Sequence, residues 1–220
     1  MISPIFHSES PISILGGAEI SREDLNNSRK ATDAIVAADG GARHAIKHDL
    51  VPDVVIGDLD SLSAEAREAC AGRIHHIADQ DTTDFEKVIL RVDAPLMIGL
   101  GFLGGRLDHT VATLNVLVRH VTRPIVLRSD PDVVFAIPAG RTELPLPAGC
   151  PFALLPMAPA RATTQGLVWD MADQPTAMDG LVSSSNAVKE GPVQIDLTAP
   201  AIVSLGLVGW DAALSAVRGR

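Results

Sequence analysis

Ala34-Ile35-Val36-Ala37-Ala38-Asp39-Gly40-Gly41 and Asp53-Val54-Val55-Ile56-Gly57-Asp58-Leu59-Asp60 present one pattern twice: a short apolar run that breaks off in glycine and aspartate. Runs this short, bounded by turn residues, read as strands buried on both faces. The pattern extends in both directions along the chain. Ile12–Leu15 ends in Gly16-Gly17, and residues 73–78 end in Asp79-Gln80-Asp81. Residues 96–102 lead into Gly104-Gly105-Arg106, and residues 125–127 form a last short run. Helix-compatible segments separate these runs at 42–48, 64–71, 84–91 and 108–120. Strand, helix and strand in alternation predict an α/β fold with a mostly parallel sheet.

From about Pro138 the composition changes to Pro, Gly, Thr and Ser. Short apolar pieces at 152–155, 166–169, 193–197 and 201–207 are divided by turn signals, and helical periodicity returns only at 211–217. This predicts a small antiparallel β domain. The expected boundary puts residues 1–137 in the first domain and 138–220 in the second.

The chain has 220 residues, 46% of them apolar and 20% charged, with a formal net charge of −9. That is enough apolar content for a real core and too little charge for general disorder. No basic run offers a footprint for nucleic acid. No stretch is long and apolar enough for a membrane span. Residues 1–10 lack a basic region followed by an apolar one, so no secretory leader is expected. Cys70 and Cys150 stand far apart in no metal or redox pattern, which favours a reduced cytoplasmic setting.

In an open parallel sheet, ligands bind outside the carboxyl ends of the strands. Those ends carry Asp39, Asp58, Asp60, Asp79, Asp81, Asp84, Arg106 and Asp108. One aspartate at a strand exit is as readily a helix cap. Four loops delivering carboxylates to one edge is a different matter. Clustered carboxylates raise one another's pKa and stay ionised together only around cations. Hard oxygen ligands select Mg²⁺, which commonly bridges carboxylates to substrate phosphates. Asp58 and Asp60 would face opposite ways on a continuing strand, so a turn at Gly57 is expected to bring both to one site.

Thr83 and Glu86 are spaced as a capping box, which starts a helix at Asp84. Asp81 and Asp84 then flank a helix start suited to phosphate oxygens. Lys87, one turn on, faces either Asp84 or a phosphate. Gly104 and Gly105 allow close approach of backbone to phosphate, and Arg106 offers a planar fork of donors. Two other motifs carry nothing. Gly99-Leu100-Gly101-Phe102-Leu103-Gly104 fits GxGxxG, but it lies within an apolar run and meets no acidic residue at the right distance. The P-loop pattern does not occur, and the spacings of His44, His48, His75 and His76 match no zinc site.

Four motifs in order, Asp39-Gly40-Gly41-Ala42, Gly57-Asp58-Leu59-Asp60-Ser61, Asp79-Gln80-Asp81-Thr82-Thr83-Asp84 and Gly104-Gly105-Arg106-Leu107-Asp108-His109, resemble the thiamin pyrophosphokinase family. The resemblance continues more weakly through Gly166-Leu167-Val168-Trp169 and Leu181-Val182-Ser183-Ser184-Ser185-Asn186. It implies a Rossmann-like α/β catalytic domain, a smaller C-terminal antiparallel β-sandwich domain, and a cytoplasmic homodimer with active sites at the subunit interface. It implies transfer of pyrophosphate from ATP to the thiamin hydroxyl, with Mg²⁺ as cofactor. Asp58, Asp60, Asp81 and Asp84 would hold the metal and, with Arg106, form the catalytic set. Asp39, Gly40, Thr83, Lys87, Gly105, Arg106 and Asp108 would bind ATP. Gln80, Trp169, Ser183, Ser185 and Asn186 would bind thiamin, with the Trp169 face suited to a flat aromatic cation. Arg43 and Ser184 depart from the family's usual Asn and Thr.

Three other readings compete. A pyrophosphokinase for another alcohol, such as a pterin, would keep the aspartate edge; Trp169 and the segment at 183–186 speak against it. An oxidoreductase using Gly99–Gly104 would bind nicotinamide. A non-catalytic sensor would bind nucleotide or thiamin without turnover.

Overall fold

A computed structural model describes residues 3–218. The outer ends of the two expected domains, and the first two residues of the stretch read for a leader, lie outside the described residues. The chain divides into two compact units, Met1–Val116 with Leu127–Ser129, and Leu117–Val126 with Asp130–Arg220.

The elements of the first part are β1 (Phe6–His7), β2 (Ile12–Leu15), α1 (Arg22–Arg29), β3 (Ala34–Ala38), α2 (Ala42–Ile46), β4 (Val54–Gly57), α3 (Ala64–Ala69), β5 (Ile74–His76), α4 (Asp84–Ile89), β6 (Val92–Asp93), β7 (Met97–Leu100), α5 (Leu107–Arg119) and β8 (Ile125–Ser129). The central sheet runs β7-β2-β3-β4-β5, and every one of these pairs is parallel. Strands β2, β4 and β7 are buried at every position, which is why they read as unbroken apolar runs. The chain steps from β2 outward through β5, then returns to place β7 on the other flank of β2. The strand order therefore reverses between β2 and β7, and the crevice beyond their carboxyl ends is the expected binding place. The exit loops meet there closely: a Cβ on Gly16 would stand 2.5 Å from the Gly101 carbonyl oxygen.

Beside the sheet, Ala37, Ala42, Val55, Leu62, Ala66 and Cys70 form a small core cluster that joins α2 and α3 to β3 and β4. Leu59 packs against this cluster. Helix α4 packs on β3 and β4, and α1 on β7. A buried ion pair, Arg128 Nε to Asp24 Oδ1 at 2.6 Å, ties β8 to α1.

The second part holds β9 (Asp132–Ile137), β10 (Gly140–Leu144), β11 (Pro151–Pro156), β12 (Ala160–Gln165), β13 (Gln174–Thr176), β14 (Ser183–Ala187), β15 (Val193–Leu197), β16 (Ala201–Gly206) and α6 (Trp210–Val217). All its pairings are antiparallel: β14-β11-β16-β9 in one set and β10-β15-β12-β13 in the other. Strands β12 and β15 alternate buried and exposed residues, as sheets with one solvated face do. The unit takes in Asp130–Ile137 because β9 pairs along its whole length with β16, so compactness cuts the chain earlier than residue 137. Residues 166–169 are not a strand. Only a single bridge, Leu167 to Val188, forms there, because Gly166 takes φ +100 and turns the chain. No helix among the described residues is long and apolar enough to cross a membrane.

Candidate functional site

A cleft of about 580 Å³ opens where the first unit's strands end. Gly16, Gly17 and Ala18 line it from β2, Asp39 and Gly40 from β3, and Asp58 from β4. Thr82, Thr83, Asp84 and Lys87 come from the start of α4, and Gly101, Phe102 and Gly104 through Arg106 come from the β7 exit.

Asp39 begins a single 3₁₀ turn directly after β3 and takes φ +42, a conformation that aspartate tolerates better than most side chains. It is only 1% exposed. Its Oδ2 accepts the Ser61 N–H at 3.1 Å, while Oδ1 is buried without a hydrogen-bond partner. Burial pushes its pKa up to about 6 against the opposing Ser61 hydrogen bond, and the nearby carboxylates add to the rise. The carboxylates of Asp39, Asp58 and Asp60 each place an oxygen within 4.8 Å of the others.

Asp58 and Asp60 reach this group through a turn, as expected, but the residue that makes the turn is Leu59, at φ +66, and not Gly57. The Leu59 side chain is drawn into the small core, and the carboxylates of its two neighbours are left beside Asp39. Gly57 serves differently: a Cβ there would come within 2.6 Å of the Asp39 Cβ, so glycine leaves Asp39 its place. Ser61 joins the two loops, since its hydroxyl donates to Asp60 Oδ1 at 2.9 Å while its N–H holds Asp39.

Helix α4 starts at Asp84, with the Thr83 side chain accepting the Glu86 N–H at 3.2 Å. Lys87, 2% exposed, donates to Asp58 Oδ2 at 2.9 Å and to Asp84 Oδ1 at 3.1 Å. Of the two expected partners, Asp84 and a phosphate, Asp84 is in contact, and Asp58 joins it. Burial alone would lower the Lys87 pKa; the two carboxylates outweigh it and raise it. The Lys87 hydrogen bond holds Asp58 below the usual carboxylate range. For Asp84 burial outweighs the same ammonium, and the shift is upward. Lys87 is a fixed cation among acids, and it keeps their mutual repulsion from opening the loops.

Gln80 is exposed and donates to Asp58 Oδ2 at 3.3 Å. Asp81 is exposed and stands apart from the three-carboxylate group. Its N–H is taken by Asp79 Oδ1 at 2.9 Å, and Asp79 also accepts the Thr82 hydroxyl, so Asp79 shapes the turn. Arg106 is exposed at the cleft mouth, after Gly104 and Gly105 at φ +78 and +66. Asp108 holds it by two hydrogen bonds of 3.1 and 2.6 Å. Gly99 is buried in β7, and α5 begins only at Leu107, so the GxGxxG match opens no helix.

In the second unit Trp169 is 64% exposed, so it is not a core residue. Ser185 is exposed at φ +56, Ser183 is half-buried, and Asn186 is buried with its amide turned inward. Sequence reasoning named Arg43 and Ser61 without giving either a place in the site, and it left Phe102 within a strand. The rule of strand exits could have found the first two, which follow β3 and β4. Arg43 donates to the Gly17 carbonyl and closes one wall of the cleft.

The catalytic-domain model of thiamin pyrophosphokinase matches residues 25–127, and the vitamin B1 binding domain model of the same family matches residues 144–202. Thiamine pyrophosphokinase 1 of Oryza sativa is 32% identical over 206 residues, 78% of each chain. The chain belongs to the thiamin pyrophosphokinase family. Another relative in this family, Thiamine pyrophosphokinase 1 of Arabidopsis thaliana, is 33% identical over 171 residues. That match spans 69% of this chain and 64% of the Arabidopsis protein. Among solved structures, thiamin pyrophosphokinase from Candida albicans superposes with a TM-score of 0.77 at 21% identity, over 90% of this chain and 89% of that one. Yeast thiamin pyrophosphokinase gives 0.74 at 21% identity, over 94% and 89%. At such identities the superpositions establish the family fold, α/β followed by antiparallel β.

Proposed function

We propose that this chain transfers pyrophosphate from ATP to the hydroxyl of thiamin, giving thiamin diphosphate and AMP. The observation that carries the reading is the buried, half-unpartnered Asp39 grouped with Asp58 and Asp60 in the cleft of a chain with this family membership. The donor set is all carboxylate oxygen, which fits a hard divalent cation, and Mg²⁺ is the expected one. Asp39, Asp58 and Asp60 would hold it, with Asp84 and the more remote Asp81 completing the acidic edge. Bound there, Mg²⁺ supplies charge neutralisation for the phosphates.

The other groups position and exchange protons. Arg106, released from Asp108, offers its fork to phosphate oxygens, and the Gly104-Gly105 backbone lets a phosphate come close. Lys87 keeps Asp58 and Asp84 in place. Asp84, whose pKa burial raises, accepts the thiamin hydroxyl proton through the oxygen that Lys87 leaves open. Trp169 gives the thiamin ring a flat face, with Gln80, Ser183 and Ser185 as its polar contacts. The α/β part, residues 1–137, serves ATP and the metal, and the β part, residues 138–220, serves thiamin. The working form is a cytoplasmic homodimer with each site completed by both subunits.

The test is incubation with ATP, Mg²⁺ and thiamin, with products read by mass. AMP and thiamin diphosphate in equal amounts support the reading. AMP alone means hydrolysis or another acceptor. No AMP, with thiamin bound, makes the protein a sensor.

A further inference from the structure

Trp169 is a large apolar side chain left mostly in solvent, yet its backbone is held from both sides. Asn186, 4% exposed, makes four hydrogen bonds with one side chain. Its Oδ1 accepts the N–H groups of Trp169 at 3.2 Å and Ala187 at 2.9 Å. Its Nδ2 donates to the Trp169 carbonyl at 2.9 Å and to Ser183 Oγ at 3.2 Å. A primary amide has two donors and two oxygen lone pairs, so nothing remains for a ligand. Ser185, at φ +56, turns the chain so that its own side chain faces out while Asn186 faces in.

The far side of the turn is pinned as well. Asp170 accepts from the Gly166 N–H at 3.2 Å, the Leu167 N–H at 3.0 Å and the Thr164 hydroxyl at 3.1 Å. A Cβ at Gly166 would meet the Glu190 carbonyl oxygen at 2.5 Å, so the turn admits only glycine there. What stays free in Trp169 is two side-chain torsions. A ring fixed in this way loses little further freedom when a flat ligand settles on it.

We propose that Asn186 is a positioning residue: it clamps the Trp169 backbone and so aims the exposed indole at thiamin, without touching thiamin itself. The proposal rests on the reading of Trp169 as the thiamin platform. It separates Asn186 from Ser183 and Ser185, whose hydroxyls still have a proton to give to a ligand.

A double-mutant cycle on steady-state kinetics tests it. Asn186→Ala should raise the thiamin KM about tenfold through the misplaced ring, with the ATP KM and the kcat at saturating thiamin moving by less than about twofold. In a Trp169→Ala background the same substitution should add nothing. Effects that multiply would mean that Asn186 meets thiamin directly, and would overturn the proposal. Asn186→Asp keeps the acceptor and loses both donors; it serves if the alanine variant melts early, and the same cycle reads it.

A second readout needs no thiamin. In a Trp210→Phe background the fluorescence anisotropy of Trp169 should fall when Asn186 is replaced; an unchanged anisotropy sinks the clamp. A parent protein without thiamin turnover would defeat the proposed function, while the anisotropy would still decide whether Asn186 holds the ring.

Discussion

Asp39 occupies a place that disfavours a charge, since it is closed off from water and one of its oxygens has no partner. Its native pKa of about 6 exceeds the ordinary 3.8. The native state therefore binds this proton more tightly than the unfolded chain does. The associated stability is complete below pH 4 or so and is lost as the pH rises through about 6. Asparagine tolerates the same φ and can still accept the Ser61 N–H. Metal-free Asp39→Asn should thus melt above the parent at pH 8, on the order of 5 °C, with the gap closing as the pH falls toward 4. Scanning calorimetry across pH checks this, and a gap independent of pH would remove Asp39 as a buried charge. The same substitution should weaken Mg²⁺ binding. Asp84→Asn should keep the fold, as circular dichroism would show, and lose most turnover; an unchanged rate removes Asp84 from the chemistry. The candidate aspartates were legible in the sequence because each sits at a strand exit. The burial of Asp39 was not, because it depends on Gly57 and Ser61 from another loop.

At the scale of elements, α4 is six residues long and carries two members of the site. So short a helix depends on its cap. Thr83→Ala leaves the Glu86 N–H without its acceptor and should cost about 1 kcal/mol of stability. It should also lower turnover, since Asp84 and Lys87 begin from that cap. Chemical denaturation and the AMP assay read the two effects separately. The capping box announced this helix; strands β2 and β3 were readable to the residue because their apolar runs end in turn residues, and β15 because apolar and polar residues alternate along it. Other elements left no such trace. Helix α1, Arg22–Arg29, has Leu25 as its only apolar residue, and its stability comes from the Ser21 cap and the Arg128–Asp24 pair. Strand β14, Ser-Ser-Ser-Asn-Ala, has no apolar alternation; its place is set by pairing with β11. Two-residue strands such as β1 are too short to show any period.

At the scale of the whole molecule, the net charge of −9 does not favour a nucleotide, whose phosphates are also negative. The cleft answers this locally, with Lys87, Arg106 and the cation proposed for its acidic group. Removal of divalent metal should accordingly abolish ATP binding as well as turnover. Both halves of the chain were legible in outline, since the change from helix-bearing to Pro- and Thr-rich sequence near residue 138 marks a change of architecture. The edge of the second compact unit left no such mark, because β9 lies before that change in composition and pairs with β16, some 70 residues on. If the active form is the proposed dimer, light scattering will give twice the mass of one chain at assay concentrations. A monomer with full activity would place the entire site within one subunit.

The Gly104-Gly105-Arg106 turn has one more property, a vulnerability. Arginine followed by Leu107, 77% exposed, after two residues without side chains, is what trypsin needs in order to thread a loop and cut it. Where that turn is covered by a nucleotide, the bond is shielded. The rate of nicking after Arg106 thus becomes a footprint of occupancy, readable on a gel with unlabelled protein and native ligands.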